Sequence, residues 1–106
     1  MVGILAAVIA VTLSASTAWA FMPSGQLQKI TKIIKWEDGE VRVAFGLSDG
    51  NFCYFAVNTD SGKASLALVT SAFLANKSVA VWCYDSTESI GGLAAHRFHR
   101  IDVVSY

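Results

Sequence analysis

Residues Gln26–Leu47 read QLQKITKIIKWEDGEVRVAFGL, and the fold turns on whether the first half of this stretch is a helix or a strand. Leu27, Ile30, Ile33 and Ile34 recur at helical spacing, which taken alone would suit an amphipathic helix. Ile30, Thr31, Ile33, Ile34 and Trp36 are β-branched or aromatic, however, and such side chains pack well on a pleated surface. Asp38-Gly39 is a hairpin turn signal. After it Val41, Val43, Phe45 and Leu47 alternate with Glu40, Arg42 and Ala44, the period of a strand with one buried face. A hairpin supplies that strand with its neighbour, so the reading is a long first strand. The apolar phase slips between Ile33 and Ile34, which predicts a bulge or bend there.

Working outward, Ser48-Asp49-Gly50-Asn51 is a second turn leading into the strand FCYFAV, and NTDSGKAS is a polar loop. Ser65 can cap a helix from Leu66 to about Asn76, with Leu66, Val69, Phe73 and Leu74 on its buried face. SVAVWCYD is the fourth strand, with Val79, Val81 and Cys83 on one face and Ala80, Trp82 and Tyr84 on the other. STESIGGLAA reads as a loop that is flexible at Gly91-Gly92, and HRFHRIDVV as the last strand. This order predicts a mainly β protein: a five-stranded OB-fold-like Greek-key barrel with one α-helix between strands 3 and 4. Closing such a barrel requires a bent first strand.

The 106 residues suffice for one small domain. Positions 2–20 carry no charged side chain, and all eight Lys/Arg and all eight Asp/Glu follow them. The apolar run Ile4–Leu13 and the small-residue site Ala18-Trp19-Ala20 match a secretory signal peptide over residues 1–20, although its start lacks Lys or Arg. An uncleaved anchoring helix is the alternative, diluted by Thr12, Ser14, Ser16 and Thr17 against the ~20 apolar residues a span requires. The remaining 21–106 form a single domain, expected to be secreted or periplasmic. Cys53 and Cys83 are an even pair in an exported domain too small to rely on its core, so they are expected to form a disulfide. In the barrel their strands are not neighbours, so the bridge has to cross at one end. Net charge is zero and the cations are spread singly, which argues against nucleic acid as a partner.

The stretch Phe21-Met22-Pro23-Ser24-Gly25, the strand QLQKITKI, the segment NFCYFAV and the helix-to-strand run LALVTSAFLANKSVAVWCYD together resemble a toxin family. It is the family of OB-fold binding subunits of bacterial toxins with one active and five binding chains, subtilase cytotoxin B subunits in particular. The resemblance covers most of 21–106 as a pattern of elements and short matches. It implies a homopentamer, a possible toxin A chain and recognition of a sialic-acid-like glycan on a host surface. It also implies that Ser24, at the head of the first strand, hydrogen-bonds the sugar carboxylate. Loop lengths, cysteine spacing and the histidine-containing last strand depart from the family pattern.

Beside the resemblance, Ser24-Gly25 can place a hydroxyl where a backbone approaches a ligand closely, or can simply form a turn entered through Pro23. Trp82 and Tyr84 offer flat rings with polar edges, suited to a sugar, to a subunit interface or to packing under the helix. His96 and His99 would point to opposite faces of a strand, so no metal site is expected. Arg97 or Arg100 can hold a carboxylate or phosphate, or pair with Asp102 or Glu88. No catalytic signature is present and no cofactor is implied, so the expectation is a binding protein and not an enzyme. A second function class is an exported protein-interaction or inhibitory module that binds no glycan.

Overall fold

The computed structural model describes residues 26–105. The expected signal peptide and Ser24-Gly25 lie outside them. In chain order the elements are β1 (Leu27–Gln28), β2 (Ile30–Lys35), β3 (Arg42–Leu47), β4 (Phe52–Ala56), α1 (Asp60–Leu74), β5 (Val79–Ile90) and β6 (Leu93–Val103). They build a mainly β domain around one six-stranded sheet of order β1-β5-β6-β4-β3-β2. All its pairings are antiparallel except β4 with β6. The ladder is not closed by hydrogen bonds, and its two end strands, β1 and β2, are separated in the chain by Lys29 alone.

The expected first strand is therefore present but divided, which makes six strands of the expected five. The break falls at Lys29, and the register of β2 shifts between Ile30 and Lys32. No irregularity occurs at Ile33–Ile34, where the apolar pattern had placed one. Ile33 pairs with Phe45 and Ile34 with Ala44, and these two partners belong to apolar clusters on opposite faces of the sheet. With both faces covered, consecutive isoleucines need no change of phase.

The main core lies between the inner face of the sheet and α1. Val43, Phe45, Leu47, Cys53, Val69, Val79, Val81 and Cys83 are its most buried members. Phe45, Phe55 and Phe98 form a three-ring contact with centroids 5.6–6.0 Å apart. The expected disulfide joins Cys53 on β4 to Cys83 on β5, with Cα atoms 6.4 Å apart. Since β6 separates these strands in the ladder, the bridge ties two strands that share no backbone pairing.

The helix starts earlier than the sequence suggested. Thr59 is the N-cap, and its hydroxyl accepts the Gly62 N–H at 3.0 Å. Ser65 lies inside the helix and donates its hydroxyl to the Ser61 carbonyl. With the cap at Thr59 in place of Ser65, Gly62 falls in the first turn and packs against β4, where a Cβ would collide with the Ala56 carbonyl oxygen. The buried face is Gly62, Val69 and Ala72, with Leu66 partly buried; Phe73 and Leu74 are exposed. Dense contact with the sheet thus favours small residues over the bulkier ones expected there.

The segment read as the loop STESIGGLAA is also corrected, since it belongs to the β5–β6 hairpin. β5 continues to Ile90, and Gly91 and Gly92 form the turn with φ of 56° and 87°. Register shifts around Cys83 bend the hairpin, and Ile90 and Ala95 pack with Ala44 and Tyr54 on the outer face. Trp36 and Leu93 flank this second cluster. A run of exposed Ser, Thr and Glu hid a strand whose outward residues are simply polar.

Candidate functional site

β4 and β6 pair through only two registers, Cys53 with His96 and Tyr54 with Arg97. Beyond them β4 turns through Ala56 into the helix, while β6 stays with β5. The divergence opens a cleft of about 430 Å³, within the ~300–1,000 Å³ usual for small-ligand sites. Phe55 and Phe98 give it an apolar floor. Thr59, Ser61 and Ser65 line the helix side, and Arg42, Glu88, Arg97 and His99 the charged side.

The cations in and near the cleft are not equivalent. Arg42 donates to both carboxylate oxygens of Glu40, at 2.8 and 3.0 Å, and to Glu88 at 3.1 Å. Those bonds hold the Glu40 carboxyl down to about 2 and raise the guanidinium above its ordinary value. Burial pushes the Tyr54 hydroxyl up, and its hydrogen bond to Glu88 pushes it the same way. Arg100, outside the cleft, is held by Asp102 at 2.9 and 3.0 Å, one of the two pairings the sequence allowed. Arg97 makes no ion pair among the described residues; its guanidinium lies over the Tyr84 ring, 4.2 Å from the centroid.

Trp82 and Tyr84 are half-buried on the outer face of β5, as the alternation implied, and neither packs under the helix. Arg100 covers the Trp82 ring at 4.6 Å, so both aromatic faces already carry a guanidinium. Tyr84 reaches the candidate site from behind. Its hydroxyl is 3.4 Å from His99 Nδ1, and its carbonyl accepts a 2.8 Å hydrogen bond from His96 Nδ1. Trp82 does not line the cleft. No group of His, Cys, Asp and Glu among the described residues is arranged to hold a metal ion. Nor is any described helix long and apolar enough to cross a membrane.

Arg42, Tyr54, Thr59, Ser61 and Ser65 were not singled out as ligand contacts from the sequence. The Thr59-Asp60 pair, an N-cap followed by an acid, was the available signal for the helix side. The meeting of Tyr54 with Arg97 depends on a parallel pairing between distant strands, which no local pattern encodes. No family model, curated protein or solved structure matches this chain. The likeness to toxin binding subunits therefore rests on the sequence pattern alone.

Proposed function

We propose that this chain is an exported ligand-binding domain, built as a variant of the OB barrel, that holds the carboxylate of an acidic, sialic-acid-like glycan in the β4–β6 cleft. The observation that carries the reading is the contrast among the arginines. Arg42 and Arg100 are paired with carboxylates of the chain itself, whereas Arg97 meets the cleft with no ion pair among the described residues. A guanidinium is a planar fork suited to a carboxylate. The hydroxyls of Ser61 and Ser65 and the ring floor of Phe55 and Phe98 give the same cleft the mixed polar and apolar lining that a sugar ring requires.

The barrel reading is supported by the strand order. A ladder whose two end strands are joined by one residue has to curl until those ends come close. Export is supported by the uncharged run at 2–20 and by the Cys53–Cys83 bridge, a pairing that persists in oxidising compartments.

Calorimetric titration with sialyllactose, with lactose as the control, tests the reading. Sialyllactose is expected to bind and lactose not to. Arg97→Ala should weaken binding roughly 10- to 150-fold, the range for a lost hydrogen bond to a charged group. Equal binding of the two sugars, or binding of neither, would overturn the proposal.

A further inference from the structure

We propose that the outward face of α1 is the seat of a second copy of this chain, laid antiparallel across it about a two-fold axis near Ala67. From 64 to 76 the chain carries no charged side chain. The helix buries only Gly62, Val69 and Ala72 against its own sheet. On the opposite side Ala64, Ala67, Ser71 and Leu74 follow one another at spacings of three and four and are all exposed, Leu74 to 78 %. Leu68, 48 % exposed, flanks them. A scattered exposed leucine is ordinary. An outward seam with no charge over three turns is not, because a surface helix normally carries its charged residues there.

The charges at the ends of this seam select the occupant. Asp60 stands in the first turn, and Lys77 lies just past the C-cap Ala75. The Lys77 ammonium donates to the Ser105 carbonyl at 3.3 Å, an exposed contact that it would exchange for a partner's carboxylate. An antiparallel copy sets Asp60 of each chain beside Lys77 of the other, twice over, as two-fold symmetry demands. A parallel copy would set like beside like. Ala64, Ala67 and Ser71 at the centre let two helix axes approach closely, since the interaxial distance follows the size of the side chains between them. The methylene stem of Lys63 then covers the apolar surface at the opposite end of the partner helix while its charge stays in water. This seam lies opposite the side of α1 that packs on the sheet, and the pairing does not depend on the ligand proposed for the cleft.

Sedimentation equilibrium of the full chain over a wide concentration range tests the pairing, with circular dichroism to follow folding. A reversible dimer is expected. Ala67→Glu sets two carboxylates face to face at the axis and should raise the dissociation constant at least tenfold. Should that variant fail to fold, the end charges decide: Asp60→Lys should weaken association about fivefold, in keeping with two broken exposed ion pairs, and Asp60→Lys with Lys77→Asp should restore it. A chain that stays monomeric at every concentration, as it would if the face served a different protein, overturns the proposal. So does a ring of five whose mass is unchanged by Ala67→Glu, or a charge exchange that restores nothing.

Discussion

Arg97 and Tyr84 form a stacked pair at the back of the cleft, the guanidinium 4.2 Å from the ring centroid. Arg97 sits on β6 opposite Tyr54, so it is held between the strand that opens the cleft and an aromatic ring on the next strand. Under the proposed function the ring would position the cation and the cation would meet the carboxylate.

Tyr84→Ala should therefore weaken sialyllactose binding about two- to fivefold, the equivalent of an exposed cation–π contact of ~0.5–1 kcal/mol. Tyr84→Phe keeps the ring and should bind as the unaltered protein does. Calorimetry on both variants separates a positioning role from a direct one: equal losses would mean that the hydroxyl, and not the ring, matters.

Replacing both Cys53 and Cys83 by Ala should lower the unfolding free energy by about 3–4 kcal/mol on the chain-entropy estimate for a loop of this length. In a domain of this size each kcal/mol moves the melting temperature by roughly 4–8 °C. Urea unfolding of the oxidised protein and of the variant measures the difference directly. A loss below about 1 kcal/mol would show that the unfolded chain gains little freedom when the bridge is removed.

Gly62→Ala should be among the most damaging single-methyl additions. The new Cβ meets the Ala56 carbonyl, a backbone atom that cannot rotate aside, so the first turn of α1 must lift from β4. Overpacking of this kind costs about 1–3 kcal/mol. Gly39→Ala, with open space around it but φ at +97°, should cost only the backbone strain. Because Gly62 also lines the cleft, the Gly62 variant should lose ligand affinity and stability together in paired melting and binding measurements.

Acid should release the Glu40–Arg42 pair. The Glu40 carboxyl, with an ordinary value of 4.5, is held down to about 2 chiefly by the hydrogen bond from the Arg42 side chain. The folded protein thus binds this proton less readily than the unfolded chain. The resulting stabilisation is complete above the unfolded value and is lost as pH falls from about 4.5 towards about 2. Glu40→Gln should flatten that part of the stability profile in urea titrations between pH 2 and 6. An unchanged slope would show that Glu40 takes up its proton equally in both states.

The order of elements was legible because strand and helix periods differ, and the alternation Val43, Phe45, Leu47 marked its strand without ambiguity. The bend was legible as a need of the fold but was misplaced, because apolar residues on both faces imitate a change of phase at Ile33–Ile34. The hairpin extension from Ser86 to Ala95 was hidden, since only Ile90 and Ala95 of its residues are deeply buried. Arg97 and Tyr84 had each been noticed separately. Their stacking, and the meeting of Arg97 with Tyr54 and the capped helix, arise from tertiary register that neither strand announces by itself.

The parallel seam between β4 and β6 also sets a time order. The β2–β3, β3–β4 and β5–β6 pairings each close over a short connection and can form early. Cys53 meets His96, and Tyr54 meets Arg97, only after the helix and the whole β5–β6 hairpin have been brought round. That closure carries more loop entropy than the three local pairings, and β1 with β5, Leu27 opposite Ala80, closes over a longer stretch still. The cleft is bounded by this seam, so under the proposed function the capacity to hold a ligand would arise only late in folding and would be forfeited when the seam opens. A bound ligand would then report a completed domain and would slow its unfolding.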